Sequence, residues 1–194
     1  MDTTRPLHIA VDMDCTIADF FLGLDEALDA AGDRARGIRR FRDGGFTSYG
    51  LTAGLTADQA ALIEEIMCTP GFFENLLEIA GARRVLHELQ HLGHHVTIAS
   101  TPWDESATCA SEKYAWVARV LGVPWRRRTA LLDDKTTLRP DVLIDDKPDI
   151  TGHHVPHWRQ LIFGTYAYNA HVPGPRLTRW TTAQAVLDLI EELA

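Results

Sequence analysis

Short apolar runs of strand length alternate along this chain with stretches of helical periodicity, and that alternation leaves little room for anything but a parallel α/β sheet. The runs fall at residues 7–11, 95–99, 129–132, 141–144 and 160–163. Helices are expected at 82–92, closed by Gly93, and at 105–121, closed by Gly122. A last helix starts at Thr181 or Thr182, with Gln184 completing a capping box, and runs to Leu193. The expected architecture is a Rossmann-like parallel sheet sandwiched by helices. Residues 20–79 break the rhythm: they hold helical patterns at 21–31 and at 57–67 (after Thr56 as cap), the turn Asp43-Gly44-Gly45 and no convincing strand. They read as a small helical cap inserted after the first strand, with residues 1–19 and 80–194 forming the core.

The first strand ends in VDMDCTIADF, which sets Asp12 and Asp14 one residue apart where an apolar run gives way to a helix. In open α/β sheets the crevice at the strands' carboxyl ends is where ligands bind. Two carboxylates so close repel each other, so the pair makes most sense around a cation. A capping box formed by Thr16 and Asp19 is the ordinary alternative.

Further motifs follow in order. Ser100-Thr101-Pro102 ends the second strand, either as an anion-binding nest or with Thr101 capping the next helix and Pro102 at its first position. Lys135 follows the third strand within Asp134-Lys135-Thr136. The fourth strand ends in Asp145-Asp146, a second acidic pair on a very apolar run. Carboxylates completed by water and phosphate suit Mg²⁺.

The order DxDxT, Ser/Thr, Lys, DD resembles the four motifs of the haloacid dehalogenase superfamily of phosphotransferases. The segments DMD…ADF, Gly71–Phe73, Glu112 to Val117 (EKYAWV), LIDDKPDI with Thr151-Gly152, and Trp158…Phe163 followed by Asn169 and His171 are similar to the 5'(3')-deoxyribonucleotidase family over nearly the whole chain. That resemblance implies a Mg²⁺-dependent hydrolase of deoxynucleoside monophosphates. It assigns Asp12 as nucleophile and Asp14 as the acid and base. Mg²⁺ would rest on Asp12, the Asp14 carbonyl and Asp146, with Asp145 acting through water or by orienting its neighbour. Ser100 or Thr101 and Lys135 would hold the phosphoryl group, and Phe20, Phe46 and Phe73 would wall the nucleobase. Three departures bear on substrate range: Cys15 where the family usually has Gly, Asp133 where animal members carry Arg, and Trp103-Asp104 after Thr101-Pro102.

A net charge of −8 argues against duplex nucleic acid or anionic membranes as partners. The arginines at 34, 36, 39, 40 and 42 and at 126–128 are expected to be solvated faces. Three cysteines with no CxxC pair fit a reducing, cytoplasmic setting, and no segment has the length of a membrane span. The pattern His87-Glu88-x-x-His91 matches a zinc-protease motif, but both histidines are expected opposite the apolar face of Val85, Leu86, Leu89 and Leu92. His153, His154 and His157 read as a solvated loop. Two other functions stay open: a phosphatase for another small phosphomonoester such as a sugar phosphate, and a non-catalytic nucleotide-binding protein. Base preference, 5' against 3' or 2' selectivity and subunit number, a homodimer included, are left undecided.

Overall fold

A computed structural model describes residues 5–44, 46 and 48–193. Six parallel strands form one sheet in the order β3-β2-β1-β4-β5-β6: β1 His8–Val11, β2 His95–Ser100, β3 Thr129–Leu131, β4 Val142–Asp145, β5 Arg159–Phe163 and β6 Arg176–Leu177. The five expected strands lie within a residue or so of their predicted bounds. The sixth was not foreseen, because two residues carry no apolar run.

Strand alternation divides the core. Ile9, Val11, Val96, Ile98, Val142 and Ile144 face the larger cluster, which takes in the apolar stripes of every helix. Those helices are α1 Phe20–Ala30, α2 Ala57–Cys68, α3 Ala82–His91, α4 Cys109–Val120 and α5 Ala183–Glu192. The opposite face of the same strands presents Ala10, Ala99 and Leu143 to Ile150 and Trp158, which belong to connecting segments. The covering is therefore unequal, with helices massed on one face and loop-borne apolar side chains on the other.

Helix starts show which side-chain oxygens won the competition for free amides. Thr56 caps α2 and forms a full capping box with Gln59. Thr182 caps α5 through the amide of Ala185, so Gln184 falls one position short of the box expected with Thr181. Asp19, not Thr16, caps α1, accepting from the amide of Leu22 at 3.1 Å. Thr16 is instead fully buried beside Asp146. α4 begins only at Cys109, so Thr101 caps no helix and 101–108 is an irregular loop.

The chain enters and leaves residues 20–79 at one place. Asp19 donates its amide to Leu77 O and Ile79 donates to Ile17 O, both at 2.8 Å. Between these crossings lie α1, α2 and two short 3₁₀ turns, Gly32–Ala35 and Phe41–Asp43. Buried Asp25 pins the second turn to α1 by accepting from the amides of Phe41 and Arg42. Gly45 of the expected turn lies outside the described residues. The basic cluster here is paired on the surface: Arg34 with Glu65, Arg36 with Asp33, and Arg40 and Arg42 with Asp29. Among the described residues no helix is long and apolar enough to cross a membrane.

α3 corrects one expectation. His91 is exposed, but His87 is half-buried, with Nε2 3.0 Å from Leu121 O and its ring against Trp125. Leu92, expected on the apolar face, is exposed. Glu88 is committed to Arg84 and to the amide of Ala183. His153 bonds Asp134 at 2.8 Å. The only group of three or more metal-ligating side chains among the described residues lies elsewhere.

Candidate active site

Four strand ends supply the site. β1 stops at Val11, and Asp12 continues its line by donating its amide to Ile144 O at 2.9 Å. Ser100 is the last residue of β2, Lys135 opens the 3₁₀ turn after β3, and Asp145 closes β4 with Asp146 next. Since β3, β2, β1 and β4 are neighbours, their carboxyl ends share one rim. A cavity of about 470 Å³ opens there, and Asp12, Asp14, Ser100, Thr101, Lys135 and Asp146 all line it.

Charge governs the floor of this cavity. Lys135, only 8% exposed, donates to Asp12 and also to Asp145 at 2.7 Å. Burial works against its charge, but the two carboxylates outweigh it and hold the ammonium above the usual lysine range. Asp145 takes a second bond from the amide of Lys147 at 2.8 Å. Burial pushes its carboxyl up to about 6, with Lys135 pulling it down and Asp12 adding to the rise. Asp146 is driven well above the carboxylate range by burial and then by Asp145 and Asp12. It accepts from Tyr168 Oη at 2.5 Å, and Asn169 donates to its carbonyl at 2.7 Å.

Ligand atoms of Asp12, Asp145 and Asp146 lie within 4.8 Å of one another, all three residues buried. Three carboxylates against one lysine leave an excess of negative charge and only oxygen donors. That donor set fits a hard divalent cation. The Asp14 carboxylate is not part of this group. It is claimed by Lys113 on α4, and burial raises its pKa despite that partner, with Asp12 adding to the rise.

Lys113 is the residue the motifs missed. Its signal was present: Cys109, Lys113, Trp116, Val117 and Val120 share the buried face of α4, and a lysine on such a stripe needs a buried partner. Glu112 beside it accepts from the amides of Gly71 at 2.7 Å and Phe73 at 3.0 Å, fixing the end of the 20–79 segment to the core. Tyr168, three residues before the noticed His171 and one before Asn169, gave no signal in advance.

Phe20, Phe46 and Phe73 all line the cavity. Phe20 and Phe73 are stacked with centroids 6.3 Å apart and are nearly fully buried. Phe46 is half-buried and stacks on Phe41, a wall residue not foreseen. Lys147 lies over the Tyr49 ring at the cavity's edge, 5.1 Å from its centroid. Of the departures, Asp133 and Trp103 line the cavity as well.

Cys15 also lines it, and is the one described non-glycine residue with positive φ, at 58°. The turn needs that geometry because the Cys15 amide bonds Ala18 O at 2.8 Å while Ile17 and Ala18 both reach back to Met13 O. A side chain there costs about 1–2 kcal/mol relative to glycine. Burial, then Asp146, Asp14 and Asp12, push its thiol well above the ordinary range. Cys109 is buried too and raised to about 11, chiefly by burial. Half-buried Cys68 is therefore expected to react first with iodoacetamide. Mass spectrometry should find the first adduct there; a first adduct on Cys15 would contradict this ordering.

The chain is similar to proteins already known. A family model described as "5' nucleotidase, deoxy (Pyrimidine), cytosolic type C protein" matches residues 5–193. The cytosolic-type 5'(3')-deoxyribonucleotidase of Homo sapiens is 32% identical over 183 residues, covering 91% of this chain and 90% of that protein. The mitochondrial 5'(3')-deoxyribonucleotidase of Homo sapiens is 34% identical over 200 residues, covering 95% and 83%. Among solved structures, a haloacid dehalogenase-like hydrolase of Burkholderia xenovorans matches with a TM-score of 0.50 at 16% identity, over 96% of each chain, a likeness of fold. The fold is that of haloacid dehalogenase-like hydrolases, and the relatives place the chain among hydrolases of phosphoric monoesters. Within that class, the chain belongs to the family of deoxy (pyrimidine) 5' nucleotidases of cytosolic type C.

Proposed function

We propose that this protein hydrolyses deoxynucleoside 5'-monophosphates through an aspartyl-phosphate on Asp12, with activity on 3'- or 2'-monophosphates left to experiment. The observation that carries the reading is the convergence of Asp12, Lys135 and Asp146 in one cavity whose walls also carry Phe20, Phe21, Phe41, Phe46, Tyr49 and Phe73. A phosphate and a base need those two environments side by side. The aromatic walls favour a nucleotide over a sugar phosphate, because each base-on-ring contact contributes about 1–3 kcal/mol. Human relatives named as 5'(3')-deoxyribonucleotidases support the same substrate class.

In this mechanism an Asp12 carboxylate oxygen bonds to phosphorus as the bond to the ribose oxygen breaks, and Asp14 donates its proton to that oxygen. Water then adds to phosphorus, the bond to Asp12 breaks, and Asp14 regains a proton. Lys135 and the Ser100–Thr101 turn hold the phosphoryl oxygens as charge develops on them. Asp145 holds Lys135 in place. Asp12, the Asp14 carbonyl and Asp146 would hold Mg²⁺. When bound, the ion supplies positive charge that lets a carboxylate approach an anionic ester. Residues 20–79 act as a cap that excludes water from the cavity. A cytoplasmic setting suits this chemistry and the three free thiols.

A panel of dNMPs, NMPs and sugar phosphates, assayed with Mg²⁺ and with EDTA, tests the proposal. The expected result is phosphate release from deoxynucleotides, abolished by EDTA. Faster hydrolysis of sugar phosphates than of any nucleotide would reassign the substrate. Nucleotide binding with no release from any phosphomonoester would make the protein a binding module.

A further inference from the structure

Lys113 has no exposed surface and is not among the residues lining the cavity. An ammonium so deeply buried carries a penalty of several kcal/mol unless its hydrogens are all taken. They are. Lys113 Nζ donates to the Asp14 carboxylate, to Ser100 Oγ at 2.8 Å and to Thr101 O at 3.1 Å. The ring of Phe73 lies 5.3 Å from the same nitrogen. Lys113 cannot reach a substrate, so any effect on the reaction passes through those partners.

The partition of the Asp14 oxygens is informative. Oδ2 is bound to Lys113, whereas Oδ1 is buried and has no hydrogen-bond partner, so the tether sets which part of the carboxyl group faces the cavity. A carboxyl tethered by one oxygen is held in one orientation, and proton transfer depends steeply on such placement. We infer that Lys113 is a positioning residue: it fixes the Asp14 carboxyl group for proton transfer to the leaving oxygen, and the inference rests on the nucleotidase mechanism above. In the first step the Asp12–phosphorus bond forms, the bond from phosphorus to the leaving oxygen breaks, and the Asp14 proton passes to that oxygen. A sugar alkoxide is too basic to leave without this proton. A nitrophenolate leaves without it.

Leaving-group acidity therefore separates a positioning role from a merely structural one. The test compares kcat/KM of wild type, Lys113→Met and Lys113→Arg on a deoxynucleoside 5'-monophosphate and on aryl phosphates of graded phenol acidity. Lys113→Met is expected to lose about 100-fold or more on the nucleotide, the usual worth of a positioned acid. On p-nitrophenyl phosphate it should lose less than about threefold, because that step draws little on general-acid catalysis. Its rate should thus fall steeply as the phenols become less acidic, and Lys113→Arg should recover part of the loss. Equal losses across the series, or none on the nucleotide, would overturn the inference. If Lys113→Met does not fold, Lys113→Gln carries the same comparison. A wild type inert toward every deoxynucleotide would defeat the nucleotidase reading instead, and the aryl series alone would still decide the role of Lys113.

Discussion

Asp12→Asn is expected to leave a folded protein whose phosphate release from dUMP or dTMP falls by about 10⁴-fold or more, the scale on which removal of a covalent nucleophile acts. Asparagine keeps the shape of the side chain and an oxygen that can accept from Lys135. Lys135 also retains Asp145 at 2.7 Å, so no ammonium is stranded. The lost charge-assisted bond is worth about 1.5–3 kcal/mol. Part of that returns, because Asp12 is among the charges that raise Asp145 and Asp146. A net stability change below about 2 kcal/mol follows, and urea unfolding can measure it. The double variant Asp12→Asn/Asp14→Asn should be scarcely slower than the single one, since groups that act as a unit do not lose activity additively. Turnover above a few per cent of wild type in Asp12→Asn would remove Asp12 from the nucleophile's role.

The sequence revealed the strand ends better than the surroundings that tune them. Asp12, Lys135 and Asp145-Asp146 were legible because each follows an apolar run, and the pattern of short strands says which ends meet. Thr16 was misread because its hydroxyl could cap a helix locally, while burial next to Asp146 is a long-range fact. The start of α4 was placed too early because residues 105–108 have no breaker, whereas 101–108 is held irregular by bonds such as Trp103 N to the Cys109 thiol and Lys113 Nζ to Thr101 O. Gly152 illustrates contacts that composition cannot show. A Cβ there would sit 2.0 Å from Asp134 Oδ1, so glycine is what lets the 151–154 loop lie on the Lys135 turn. His153 then reaches Asp134 through both its amide and its ring. Asp134, noticed only as a neighbour of the lysine, is thus part of what holds that turn.

Lys135→Met should cost both folding and catalysis, and the two losses should respond differently to pH. In the wild type Lys135 is the cation shared by Asp12 and Asp145, with Asp146 next to them. Methionine fills similar space but leaves buried carboxylates without their partner, a change that typically costs about 3–5 kcal/mol. The carboxylates can escape part of that cost by taking up protons. Asp145 already sits at about 6, above the ordinary aspartate value of 3.8. A carboxyl raised on folding contributes stability that is complete below its unfolded pKa and lost as pH rises through its folded one. Without Lys135 the folded values climb further. The stability deficit of the variant relative to wild type should therefore be small near the unfolded value of 3.8 and grow through and beyond 6. Urea unfolding in EDTA at mildly acidic and mildly alkaline pH measures it, and an equal deficit at both would refute the argument. At the higher pH, Mg²⁺ should narrow the gap, because a cation bound only by the folded state stabilises it by about 2.7 kcal/mol at a hundredfold excess over its Kd. Activity should not return with stability. On the proposed mechanism, the lost donor to the phosphoryl oxygens alone is worth about 10²–10³ in kcat.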